Sequence, residues 1–270
     1  MILYPPCKIN LGLHIKYKRE DGYHEIDSVF YPVQWLDAIE IEKNQKGIHS
    51  SFSGLIIPGD SKDNLIEKVF NIIATDHNLP GLKYHLHKNI PMGAGLGGGS
   101  ADAAYAINLI DIVYQLDLCF EDKMKYASMI GSDVNFFLFN SACRCKGRGE
   151  LVEPIEELSL SGTYIVLINP GIHIGTSIAY TNVHKENRDL DIQKMINSPI
   201  EEWNNFVKND FEVSVFNEYP EIEEIKNNLY KNGASYASMS GSGSTVFGLF
   251  KEKPHLDLTQ YKSTYQGILK

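Results

Sequence analysis

Residues 91–104 read PMGAGLGGGSADAA, with five glycines between Gly93 and Gly99, followed at once by Ser100 and strong helix formers. A glycine costs roughly 0.5–1 kcal/mol relative to alanine in regular structure, so a run of them marks a backbone that needs positive φ or lies close against a neighbour. Downstream, Ala103, Ala106, Ile107, Ile110, Val113 and Tyr114 recur every three or four residues and predict a helix after Ser100. Upstream, Lys83–Ile90 alternates as a strand does. The glycines therefore join a strand to a helix N-terminus, where unpaired amides and the helix dipole favour an anion, and a phosphate is the natural guest. Ser100 can cap that helix or donate its hydroxyl to phosphate.

The remaining pattern is mixed. Lys8–Ile15, His24–Val33 and Ala38–Ile41 read as strands of one sheet, separated by Asp21-Gly22 and the polar run Lys43–Gly47. Asp63-Asn64 precedes Leu65, Ile66, Val69, Phe70 and Ile73, predicting a capped helix that ends before Leu79-Pro80-Gly81. Another helix, Glu121–Ile130, stops at Gly131, with Ser132-Asp133 placed to cap the following turn. The pattern restarts near Pro154. A strand over Tyr164–Ile168 is followed by an Asn169-Pro170-Gly171 break, then by helices near Thr176–Asn182, Glu201–Val207 and Glu221–Lys231 and strands over Ala234–Met239 and Thr245–Phe250. This reads as two α+β halves, 1–153 and 154–270.

Composition narrows the partners. A formal charge of −9 argues against nucleic acid or an anionic membrane and leaves a charged small molecule in a local pocket. The longest apolar runs fall well short of the ~18 residues of a membrane helix, and MILYPPCK lacks a charged-then-apolar leader, so a cytoplasmic location is expected. Cys7, Cys119, Cys143 and Cys145 are too irregular for a disulfide framework, and Cys143-x-Cys145 is at most half a metal site. The absence of Gly-Lys-Ser/Thr excludes a Walker loop, and the protein kinase motifs His-Arg-Asp and Asp-Phe-Gly are missing too. Gly93, Gly95 and Gly98 match GxGxxG, but a dinucleotide fold would place them after its first strand, not about ninety residues into the chain.

PMGAGLGGGSADAA resembles the nucleotide loop of the GHMP kinases, and PPCKINLGL at 5–13 and MSGSGSTVFGLF at 239–250 flank it in the order of that superfamily. REDGYHEIDSVFYPV at 19–33, DNLIEK at 63–68, GSDVNFF at 131–137, GRGE at 147–150 and NPGIHIGTSIAY at 169–180 resemble one member family, the 4-diphosphocytidyl-2-C-methyl-D-erythritol kinases. The resemblance implies a two-domain α+β fold: an N-terminal ATP-binding domain, ribosomal protein S5 domain 2-like, and a ferredoxin-like C-terminal domain. It implies transfer of the ATP γ-phosphoryl group to the 2-hydroxyl of a cytidine diphosphate-linked methylerythritol. Homoserine or mevalonate kinase activity is the nearest rival, and a catalytically silent nucleotide-binding regulator the next. Arg19–His24 and Tyr180 speak against the first, because those acceptors offer no nucleobase; Lys8 and Asp133 speak against the second.

By the same resemblance Asp133 is the general base and Lys8 the cation that keeps it ionised and steadies the transferring phosphate, which requires the two to converge. ATP is assigned to Pro91, Met92, Gly93, Ala94, Gly95, Leu96, Gly97, Gly98, Gly99, Ser100 and Ala101, with Asn64 and Lys88 near the adenine. Magnesium is expected to arrive on ATP, with no protein ligand named. Tyr23 and Tyr180 would sandwich the cytosine, His24 read its polar edge, Asn10 lie near the methylerythritol hydroxyls and Thr176 near the cytidine end. Ser240–Ser244 would shape the floor beside the acceptor. Two departures stand out: Cys7, where the family usually has alanine, and Asn135, where it usually has proline.

Overall fold

The computed structural model describes residues 1–59, 64–175, 179–180, 183 and 188–270. In chain order the strands are β1 (Ile2–Leu3), β2 (Pro6–Lys18), β3 (His24–Leu36), β4 (Ala38–Lys43), β5 (Gly47–Gly54), β6 (Gly81–Lys88), β7 (Cys143–Gly147), β8 (Leu151–Pro154), β9 (Tyr164–Asn169), β10 (Tyr236–Met239), β11 (Val246–Phe250) and β12 (Ser263–Ile268). The helices are α1 (Leu65–His77), α2 (Gly98–Tyr114), α3 (Phe120–Ile130), α4 (Phe136–Phe139), α5 (Ile192–Asn197), α6 (Phe211–Glu218) and α7 (Pro220–Lys231), with a 3₁₀ turn at Ile200–Asn205. They fall into two compact units: Met1–Cys7, Trp35–Met92 and Gly97–Asn140 form the first, and Lys8–Gln34, Gly93–Leu96 and Ser141–Lys270 the second.

The first unit holds a sheet of order β1-β4-β6-β5. β5 and β6 pair in parallel and are connected through α1, as a parallel pair requires a crossover, whereas β4 pairs antiparallel to β6. The β4–β6 register sets Ile39 opposite Leu86 and Ile41 opposite Tyr84. All four are buried, while the alternate pairs Glu40–His85 and Glu42–Lys83 take the other face. α1 buries Ile66, Val69, Phe70 and Ile73, a stripe at helical spacing, and its neighbour α2 buries a face of alanines, Ile107 and Ile110. Asn64 caps α1 by accepting a hydrogen bond from Ile66 N at 2.9 Å, and Asn78 in the left-handed conformation ends it.

The second unit holds two sheets, β2-β3-β7-β8 and β10-β11-β9-β12. Its core joins Leu13, Ile15 and Ile26 of the first sheet to Val166, Ile168, Val246 and the buried faces of α6 and α7.

The three early strands do not share a sheet: β2 and β3 pair with each other, and β4 belongs elsewhere. The chain turns at Asp37, whose Oδ1 accepts hydrogen bonds from Asn89 N (2.6 Å) and Ile90 N (2.8 Å) and ties the start of β4 to the end of β6. The α2 helix begins at Gly98 with Gly97 at its cap position, so Ser100 lies inside the first turn and does not cap it. The cap position of α4 is Asn135, which makes no side-chain cap bond, so Asp133 does not cap α4. The expected helix at 176–182 lies mostly outside the described residues.

Candidate active site

In the first unit, a pocket of about 480 Å³ opens between the segment following β5 and the start of α2. Its walls include Phe52, Leu55, Ile56, Pro58, Leu65, Leu86 and Met92, and its polar groups include Asn64, Lys88 and Asp102. An apolar slot with few polar groups suits a planar base. Asn64 and Lys88 are thus brought together here, Asn64 while also capping α1.

Lys88 has an arrangement that no motif announced. Its ammonium is buried and donates to Asp37 Oδ2 at 2.5 Å and Asp102 Oδ2 at 2.7 Å, while Asp37 and Asp102 are themselves buried. Burial works to lower the Lys88 pKa, but the two carboxylates more than offset it and hold the ammonium protonated. Burial pushes the Asp102 carboxyl up to about 7; Lys88 pulls it down and Asp37 pushes it up again. Asp37 is ringed by three donors, whereas Asp102 Oδ1 has no hydrogen-bond partner, so Asp102 is the carboxyl that takes a proton. Gly98 sits directly above: a Cβ built on it would lie 3.1 Å from Lys88 Nζ.

In the second unit, the first part of the glycine run is pressed against the segment following β10. A Cβ on Gly95, whose φ is +77°, would lie 1.9 Å from the Ser240 carbonyl oxygen. Ser240 Oγ donates to the Gly95 carbonyl at 2.8 Å, and Thr245 N to that of Ala94 at 3.3 Å. The neighbour that demands glycine at 95 is therefore the protein's own backbone. Asn209, buried, holds the other side of this turn by donating to Met239 O (2.7 Å) and Gly241 O (2.9 Å).

Lys8 belongs to the same unit. It is buried on β2, its Nζ 2.6 Å from Asn10 Oδ1 and 4.5 Å from the centre of the Phe30 ring. Asn10 donates through Nδ2 to Ser28 Oγ at 2.8 Å, and Ser28 donates onward to Gly12 O at 2.6 Å. With its carbonyl oxygen on the ammonium and its amide on Ser28, Asn10 has a fixed orientation. Cys7 is fully buried beside this group in sequence, as a small apolar residue would be.

Tyr23 is 56% exposed, with the Arg148 guanidinium 4.8 Å from its ring centre. His24 stacks on Tyr180, ring centres 4.2 Å apart and planes at 13°, and Tyr180 meets Phe211 edge-on. Of the three aromatic candidates, His24 and Tyr180 are brought together, whereas Tyr23 lies against Arg148. Asp133 is half-buried in the turn between α3 and α4, in the first unit; nearby Asn135 bonds Ser128 Oγ of α3 at 2.9 Å, a use proline could not serve. Thr176 lies outside the described residues. Sequence reading did not single out Ser28, Asp37, Asp102 or Asn209: Ser28 and Asp102 lie inside the segments 19–33 and 91–104 but stand out there only by polarity, and Asp37 and Asn209 lie outside every motif.

Residues 64–141 match the GHMP kinases N terminal domain, and residues 192–262 the GHMP kinases C terminal domain. A 4-diphosphocytidyl-2-C-methyl-D-erythritol kinase of Azobacteroides pseudotrichonymphae is 44% identical over the whole of both chains. One of Bacteroides fragilis is 42% identical over 98% of this chain and 97% of its own. A crystal structure of a 4-(cytidine 5'-diphospho)-2C-methyl-D-erythritol kinase superposes with a TM-score of 0.83 at 28% identity, covering 100% of this chain and 99% of that one. With three ordered motifs, both domain matches and relatives this similar from end to end, the chain belongs to the GHMP kinases, ATP-dependent phosphotransferases, and within them to the 4-diphosphocytidyl-2-C-methyl-D-erythritol kinase family.

Proposed function

We propose that this enzyme transfers the γ-phosphoryl group of ATP to the 2-hydroxyl of 4-diphosphocytidyl-2-C-methyl-D-erythritol, a step of the non-mevalonate isoprenoid route. The observation that carries the reading is the buried Lys8 ammonium oriented by Asn10 within motifs shared along the full length of relatives bearing that name. An alcohol is a poor nucleophile near neutrality, so catalysis consists of positioning, a group to accept its proton, and positive charge on the moving phosphoryl. Asp133 takes the proton, and Lys8 supplies the charge. Asn10 holds the acceptor hydroxyls.

The pocket lined by Asn64 and Lys88 takes the adenine, and residues 91–101 take the phosphates. Mg²⁺ bound to ATP would neutralise charge on the phosphate oxygens during transfer. Tyr23, His24 and Tyr180 grip the cytosine, with Thr176 at the cytidine end. The division at 153/154 stands as a proposal about sequence domains, and location in the cytoplasm as one about the cell. Among the described residues, no helix is long and apolar enough to cross a membrane.

Labelled ATP and Mg²⁺, offered with the cytidylyl methylerythritol, homoserine or mevalonate in turn, test the reading. Label should pass to the first alone; transfer to either of the others instead would overturn it.

A further inference from the structure

Two carboxylates share one ammonium beneath the first turn of α2, and the three groups are buried and unevenly satisfied. Lys88 and Asp37 are satisfied; Asp102 Oδ1 is buried without a hydrogen-bond partner. With both acids ionised the triad carries a net negative charge. With Asp102 protonated it is neutral, and the added O–H can donate to Asp37. The charged groups acting on Asp102 are Lys88 from β6 and Asp37 from the β3–β4 corner. The first turn of α2 adds no acidic or basic side chain, Glu67 of α1 is bonded by Tyr84, and Lys123 of α3 pairs with Asp111 near the other end of α2.

We propose that Asp102 is a positioning residue whose proton is coupled to nucleotide binding: the triad takes up a proton when the anionic nucleotide settles over Gly98, and an ionised Asp102 opposes that binding. The inference rests on the placement of ATP in this pocket proposed above. An approaching polyphosphate adds like charge next to an already reluctant carboxylate, which favours its protonated form further. By linkage, whatever raises proton affinity on binding also makes binding weaken as the proton is removed. Asp102 is half protonated near pH 7 before any nucleotide arrives, so the effect falls within the working range.

The test is titration of MgATP, with no acceptor present and excess Mg²⁺, in buffers of different ionisation enthalpy. Under these conditions the nucleotide is fully ionised and protons counted belong to the protein. The parent should take up protons at about pH 8 and bind about fivefold more weakly there than at about pH 6, for a shift of about one pKa unit from about 7. Asp102→Asn copies the protonated acid, with its carbonyl on Lys88 and its amide toward Asp37. It should take up no protons, bind equally at both pH values, and bind more tightly than the parent at the higher one, a gain that a merely structural role would not produce. Proton uptake and pH dependence that are the same in parent and variant would overturn the proposal, and so would their absence in the parent, which needs no variant at all. Photolabelling with 2-azido-ATP separates the two failures: label on the pocket wall between Phe52 and Pro58 keeps the ATP placement standing, whereas label confined elsewhere overturns it and the proposal with it.

Discussion

The buried acids of the proposed nucleotide pocket are singled out by no reading of the motifs. Asp102 reads as one polar residue in a helix beginning, and Asp37 as a turn between strands; only the fold brings them to one lysine, 14 and 51 positions away respectively. The stability of the protein should record this. A carboxyl normally near 3.8 but held at about 7 when folded binds more protons in the native than in the unfolded chain between those values. Its contribution is therefore full at low pH and is lost as pH rises through about 7. Thermal melts of parent and Asp102→Asn should diverge across that window, the parent losing ground to the variant; parallel curves would refute the assignment. Ser28 is a second unannounced residue. Ser28→Ala would orphan the buried Asn10 amide and Gly12 carbonyl, at about 1–3 kcal/mol in urea unfolding, and loosen Asn10 on Lys8. The resemblance nominates Lys8, Asn10 and Asp133 because its motifs name positions; the bonds that orient Lys8 and Asn10 are not legible in it.

Elements were readable in proportion to their length and periodicity. Helices α1, α2, α3 and α7 bury apolar stripes or faces and were anticipated to within a few residues, whereas β5, β7, β8, β12, α5 and α6 were not. β5, Gly47–Gly54, shows why: it is a largely exposed edge strand rich in serine, so it lacks the apolar alternation that would betray it. The glycine run was legible as a constraint, but its causes differ from glycine to glycine. Gly95→Ala forces a Cβ onto the Ser240 carbonyl at positive φ and should cost several kcal/mol, as backbone on both sides must move. Gly99 lies in α2 with ordinary φ, and its nearest neighbour would be Leu65 Cδ1 at 3.7 Å, so Gly99→Ala should leave stability unchanged or raise it by about 0.5–1 kcal/mol. Chemical denaturation of the pair checks both, and an equal response would mean that the run is constrained as a whole. Asn64→Ala should lose about 1 kcal/mol of cap energy, and Asn64→Asp should retain it, which separates the cap from any effect on ATP binding.

At the scale of the whole chain, restart of the pattern near Pro154 is visible in the sequence, yet compactness does not follow that line. The second unit gathers Lys8–Gln34 and Gly93–Leu96 along with everything after Asn140. The early segment supplies core, not trim: Leu13, Ile15 and Ile26 are buried against Val166, Ile168 and Val246, and Leu13 N donates to Lys208 O at 2.8 Å while Leu13 O accepts from Asp210 N at 2.9 Å. Arg144, before the cut, holds buried Asp27 through two hydrogen bonds of 2.6 and 2.9 Å, and Asp27 in turn accepts from Leu190 N. A fragment of residues 154–270 would thus lose the strands β2, β3 and β7 and expose the apolar face they cover. Each fully buried apolar side chain of this kind accounts for about 1.5–3 kcal/mol, and a domain's whole margin is only about 5–15 kcal/mol. The fragment should therefore show no cooperative melt by circular dichroism and should bind a hydrophobic dye. Joined instead to residues 8–34 and 141–153 through a flexible linker, it should regain a cooperative transition. A sharp melt from 154–270 alone would mean that the early strands decorate a core that is complete without them.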